Sequence, residues 1–183
     1  MKAIVFVDVQ KDFVKGGKLA FGYPTEDNLQ KIVDYAELCA DDDDADCKIY
    51  ATRDTHNTDY MKTLEGQKLP VEHCVEGTDG WQIVDPLMDV LLGKATFVNK
   101  PTFGSYDLAD IIVEDFGKDG PEEIIICGYD LSICCLANAV LLRAKFPNVK
   151  ITVRTDLCGD VDKAAFDAAV KVLQMQQIET ANN

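Results

Sequence analysis

Short apolar runs alternating with helical patterns constrain this chain more than any other feature. Ala3 to Val7, Cys47 to Thr52, Thr96 to Lys100, Glu123 to Cys127 and Val149 to Val153 each have the length and composition of a buried strand, and Gln177 to Thr180 reads as a shorter sixth. Between them, Leu29, Ile32, Val33, Ala36 and Leu38 recur at helical spacing behind an opening Thr25-Glu26-Asp27-Asn28. The acidic run Asp41 to Asp44 ends that helix and reads as a solvated loop. Trp81 to Leu92, Tyr106 to Phe116, Leu136 to Lys145 and Ala164 to Leu173 read as further helices. Strands alternating with helices call for an α/β fold, a parallel sheet covered on both faces. No repeat, low-complexity tract or linker divides the chain, so one domain over 1–183 is expected.

Net charge is −14, which argues against a nucleic-acid-binding surface and against anionic membranes. No run approaches the ~20 apolar residues of a membrane span. The run at Ala3 to Val7 is too short for a signal peptide and is closed by Asp8. Seven cysteines, an odd number without framework spacing, do not describe a secreted disulfide scaffold. The expectation is a cytoplasmic protein whose thiols are free to be core residues, ligands or nucleophiles.

One segment concentrates chemistry. Glu123 to Cys127 leads into Gly128-Tyr129-Asp130-Leu131-Ser132-Ile133-Cys134-Cys135, followed by a helical pattern. Strand, tight turn and helix place Cys134 close to a helix N-terminus, where unpaired N–H groups favour a thiolate and would suit a nearby oxyanion. Asp8 and Lys100 also sit at strand ends, and an open α/β sheet gathers such positions into one crevice. Asp8 could accept the thiol proton, and Lys100 could orient Asp8 and stabilise negative charge. A second group comprises Asp54, His56 and His73, the last two being the only histidines of the chain, with Cys74 and Asp59 as spare donors. Two imidazoles and a carboxylate suit zinc or another divalent transition metal and leave positions open for water or substrate. No dinucleotide fingerprint, P-loop or serine nucleophile elbow is present, so a nucleotide cofactor is unsupported.

The segments Asp8 to Phe13, Arg53 to His56, His73 to Gly80, Lys100 to Phe103 and Gly128 to Cys134 together resemble the isochorismatase-like cysteine hydrolases, nearest the nicotinamidase/pyrazinamidase branch. The resemblance implies a Rossmann-like three-layer α/β/α sandwich with about six parallel strands. It implies an Asp8–Lys100–Cys134 triad, a metal held by Asp54, His56 and His73 (zinc first, iron or manganese as alternatives), and a small amide as substrate. It also implies backbone N–H groups near Leu131 and Cys134 as oxyanion donors, Phe13 packing on a substrate ring, Cys135 in the core, and a cis peptide expected at Asp130-Leu131. Homo-oligomerisation is compatible with it. Relatives acting on other amides, carbamoyl compounds or isochorismate are the alternatives, and a non-catalytic binding protein is the remaining one. Tyr60 stands where the branch often has a further histidine, Pro70 where it often has a tryptophan, and Leu131-Ser132-Ile133 where it has a Thr-containing turn.

Overall fold

The computed structural model describes residues 1–24, 28–41 and 46–182. Thr25-Glu26-Asp27 and most of the acidic run (42–44) lie outside the described residues. Six strands form one sheet: β1 (Lys2–Val7), β2 (Cys47–Asp54), β3 (Ala95–Lys100), β4 (Glu123–Gly128), β5 (Lys150–Cys158) and β6 (Glu179–Ala181). Every pairing is parallel, and the order is β3-β2-β1-β4-β5-β6. The helices are α1 (Leu29–Asp41), α2 (Leu64–Lys68), α3 (Asp85–Leu91), α4 (Tyr106–Phe116), α5 (Leu136–Lys145) and α6 (Lys163–Met175). The expected α/β fold with a six-stranded parallel sheet is therefore present. β1 is buried throughout after Lys2, as a central strand covered on both faces must be.

The strand order reverses between β1 and β4, so the loops leaving these two strands diverge and open a crevice at their carboxyl ends. Register brings Val7 opposite Gly128 and Asp54 opposite Lys100 at that same edge. Gly128 (φ +123) is required there, because a Cβ would run into the Val7 carbonyl oxygen.

Two local expectations are revised. The helix expected from Trp81 begins at Asp85, since Ile83 pairs antiparallel with Gln10, Val84 N–H donates to Val9 O, and Pro86 suits only a helix's first turn. The long polar segment after Arg53 carries its own elements, a 3₁₀ turn (Tyr60–Lys62) and α2, capped by Thr63. The cis peptide is Tyr129-Asp130, one residue before the expected position; Tyr23-Pro24 is also cis.

Candidate active site

Val7 ends β1 and Asp8 follows in the left-handed region (φ 50), a conformation that costs a non-glycine residue energy and clusters at functional positions. Its backbone N–H and Oδ1 are both held by Thr52 of β2, with Thr52 Oγ1 donating to Oδ1 at 2.6 Å. Lys100, the last residue of β3, is fully buried and lies 2.6 Å from Asp8 Oδ2. The same Nζ reaches Cys134 Sγ at 3.4 Å, Asp54 Oδ1 at 3.4 Å and the Thr102 carbonyl at 3.2 Å. Asp8, Lys100 and Cys134, dispersed in sequence, thus meet around one ammonium group.

Cys134 lies in a single π-helical turn (Leu131–Cys135) that leads directly into α5. Asn138, one turn later, donates to the Cys134 carbonyl (2.8 Å) and to Phe103 O (3.1 Å), and accepts from Ser105 N–H. It ties the turn carrying Cys134 to the loop after β3, a role for which local spacing offers no signal. Leu131 N–H, expected at an oxyanion site, instead donates to Gly159 O at 2.8 Å. A donor already committed to a protein carbonyl is not free for substrate. Asp130 N–H makes no backbone hydrogen bond among the described residues. Cys135 is fully buried, as expected of a core residue.

Electrostatics revise the expected thiolate. Burial pushes the Cys134 thiol well above its ordinary range; Lys100 opposes this, while Asp8 and Asp54 reinforce it. Burial also raises the Asp8 carboxyl, against the pull of Lys100. Desolvation works against the Lys100 ammonium, but Asp8, Cys134 and Asp54 outweigh it and keep it protonated. These directions favour a thiol over a thiolate at Cys134 beside the Lys100 ammonium, because helix-end effects of a kcal/mol or so are smaller than the penalty of a fully buried charge.

The second group assembles beside the first. Asp54, His56 and His73 are buried, and Asp54 Oδ2 lies 3.0 Å from His56 Nε2 and 3.3 Å from His73 Nε2. Glu65 on α2, not anticipated from sequence, completes the cluster: one ligand atom from each of the four lies within 4.8 Å of the others. Nothing in local spacing separates Glu65 from Glu72 or Glu76; only the docking of α2 selects it. The anticipated spare donors do not join, since Asp59 is exposed and Cys74 is buried with its N–H on Asp12 Oδ2. His73 Nδ1 lies 2.8 Å from the Val71 carbonyl, a contact in which Nδ1–H donates, and this leaves Nε2 facing the cluster. Tyr60 adds no ligand atom. Its ring packs on His56 and His73, with centroids at 4.6 and 5.0 Å, and its hydroxyl donates to Leu69 O. Two imidazoles and two carboxylates converging on one point fit a divalent transition metal.

Both groups open on a cavity of about 240 Å³. Phe13, Phe21, Leu69, Phe103 and Ile133 supply apolar wall, and Phe13 meets the His73 ring edge-on at 5.8 Å. Cys134, Asp54, Glu65 and His73 line the same cavity, so the nucleophile candidate and the donor cluster face one common space.

An isochorismatase domain model matches residues 2–182. The chain belongs to the isochorismatase family. Solved structures similar to this isochorismatase-family protein include the nicotinamidase/pyrazinamidase of Bacillus subtilis (19% identity, 99% of each chain covered, TM-score 0.84). They include the pyrazinamidase of Pyrococcus horikoshii in complex with zinc (22% identity, 100% of this chain and 99% of that one, TM-score 0.78). The yeast nicotinamidase bound to the inhibitor nicotinaldehyde is another (21% identity, 100% of both chains, TM-score 0.80). At these identities the likeness speaks for the fold. No curated protein gives a significant sequence match.

Proposed function

We propose that this family member is a cysteine amidohydrolase of the nicotinamidase type, cleaving a small ring amide to its acid and ammonia through a thioester. The observation that carries the reading is the meeting of Asp8, Lys100 and Cys134 around one buried ammonium, in a cavity shared with a four-donor metal cluster. Asp8 takes the proton from Cys134 Sγ, and the thiolate so formed attacks the amide carbonyl carbon. Lys100 is placed to hold Asp8 in position and to offset the charge passing between oxygen and sulfur. The backbone N–H groups of Cys134 and, in place of Leu131, Asp130 are the donors for the developing oxyanion, each such donor being typically worth about 3–4 kcal/mol. Protonated Asp8 returns its proton to the leaving ammonia, then deprotonates the water that cleaves the thioester. Asp54, His56, Glu65 and His73 would hold the metal, zinc being the first candidate. A bound divalent ion supplies Lewis acidity at that end of the cavity, suited to a ring nitrogen or a water.

The cavity is small against the roughly 300–1,000 Å³ of drug-sized ligand sites, which favours a single ring. Among the described residues no lysine or arginine lines it, and Lys100 behind Cys134 is already paired with Asp8, so a dicarboxylate such as isochorismate finds little cationic lining to pair with. The test is ammonia release from nicotinamide and pyrazinamide, with and without zinc, iron or manganese. Release that is abolished in Cys134→Ala and reduced by a chelator is expected. Full turnover by Cys134→Ala would overturn the thioester route.

A further inference from the structure

Proton exchange between a carboxyl and a thiol depends on which oxygen faces the sulfur, and the two oxygens of Asp8 have different neighbours. Oδ2 lies 2.6 Å from the Lys100 ammonium, whose nitrogen is also 3.4 Å from Cys134 Sγ. Oδ1 accepts from Thr52 Oγ1 at 2.6 Å. The same hydroxyl oxygen takes the Asp8 backbone N–H at 3.2 Å, so one side chain holds both ends of the residue. A hydroxyl has one proton, and Oδ1 is the acceptor it meets among the described residues. Thr52 is itself fixed: it is fully buried in β2, in register with Val7, the residue before Asp8. Its branched Cβ restricts χ1 further. Asp8 has no such rigidity of its own, because its backbone is left-handed (φ 50) and the torsion that turns a carboxyl is soft. Of its charged neighbours, Lys100 engages the opposite oxygen and Asp54 repels the carboxylate, so neither holds Oδ1.

We propose that Thr52 is a positioning residue of the reaction: by holding Asp8 Oδ1 it commits Oδ2 to the proton exchange with Cys134. The proposal rests on the thioester reading for what Asp8 does. The S–H bond of Cys134 breaks and an O–H bond forms at Oδ2, while the electron pair left on sulfur forms the bond to the amide carbon. With the hydroxyl still on Oδ1, the proton stays at Oδ2 and returns from there to the leaving nitrogen as the C–N bond breaks. Thr52 is not among the residues lining the cavity, so it acts only through Asp8. Removing the hydroxyl leaves Oδ1 buried without a donor and frees the carboxyl to turn. The Asp8 N–H keeps the Thr52 carbonyl at 3.2 Å, and the backbone pairing of β1 with β2 does not involve the hydroxyl. The loss therefore falls on the chemical step rather than on binding.

The test compares Thr52→Ser, which keeps the hydroxyl, with Thr52→Val, which replaces it by a methyl group, and with Thr52→Ala, a second hydroxyl-free variant should the valine fail to pack. Ammonia release from nicotinamide gives kcat and KM. Alkylation of Cys134 by iodoacetamide at neutral pH, followed by mass spectrometry of its peptide, gives thiol reactivity without any substrate amide. The expected result is a kcat lowered about 10–100-fold in the hydroxyl-free variants with KM changed less than about twofold, in line with loss of a hydrogen bond to a charged group. Alkylation of Cys134 should slow in the same variants, and Thr52→Ser should restore most of both. Wild-type kcat and alkylation in a folded hydroxyl-free variant overturn the proposal, and with ammonia release still abolished in Cys134→Ala the amidase reading survives that failure. A loss shared equally by Thr52→Ser also overturns it, marking a packing role for the threonine methyl. If no amide releases ammonia yet alkylation of Cys134 follows the hydroxyl, the amidase reading fails and the positioning role stands.

Discussion

Asp8 is a carboxyl buried against an ammonium and lifted above the ordinary carboxylate range by desolvation. In its proposed role of base it works as the carboxylate, so kcat/KM for the amide should decline as pH falls through that raised value, on an acid limb above the usual 3.8. Asp8→Asn should lower kcat by about 10²–10⁴ and remove the limb; a retained limb would assign it to another group. Asp130 makes a separate prediction about stability. In the folded protein its pKa of about 7 exceeds the 3.8 of an unperturbed aspartate, so between these values the folded state binds more protons than the unfolded one. Stability from this group is fully present below pH 4 and is lost as pH rises through about 7. Asp130→Asn should therefore raise Tm at pH 8 and leave it nearly unchanged at pH 4, checked by thermal melts; a gain that grows toward low pH would contradict the assignment. Asp8, Lys100 and Cys134 could be nominated from sequence because each ends or follows an apolar run. The protonation of Cys134 could not, since it depends on which charges and how much water surround the sulfur.

The turn between β4 and α5 is the element on which the site depends. Gly128 must pass beside Val7 at a φ only glycine adopts readily, so Gly128→Ala should cost about 2–5 kcal/mol, read as a lowered denaturation midpoint. Asn138 holds the Cys134 carbonyl and the Phe103–Ser105 loop at once. Asn138→Ala leaves buried groups unpaired and should destabilise by about 1–3 kcal/mol. It should also lower kcat more than it raises KM, because the turn carrying Cys134 shifts against Asp8 and Lys100, the partners of the proposed reaction; an unchanged kcat would limit Asn138 to a structural role. Elements with a strong period were legible in advance, as with α4 and β4, whose boundaries follow Ser105 capping and a continuous Ile run. The Trp81 region was not, because Ile83 and Val84 fit a helical pattern locally while pairing with the chain after β1 takes precedence.

In the whole molecule, the four donors that could hold a metal come from the end of β2, the segment after it, α2 and the turn at His73. An ion bound there joins segments that otherwise share few covalent neighbours, and binding to the folded state alone raises its stability. Chelation should lower Tm, and Glu65→Gln should shrink the difference between metal-loaded and stripped protein while reducing bound metal measured by elemental analysis. Equal metal content in Glu65→Gln would remove it from the ligand set. Among the described residues no helix is long and apolar enough to cross a membrane, in keeping with hydrophobicity divided among short strands. The sequence by itself determined the α/β class, the parallel sheet and the strand-end placement of Asp8, Lys100 and Cys134, because hydrophobic period is a local property that reports which face of an element is buried. Tertiary structure alone decided the recruitment of Glu65, the engagement of Leu131 N–H by Gly159, the upward shift of the Cys134 thiol and the burial of Asp130 Oδ1 without a hydrogen-bond partner. Each of these depends on groups brought together from distant parts of the chain, where burial and charge act over a few ångströms and sequence spacing carries no information about them.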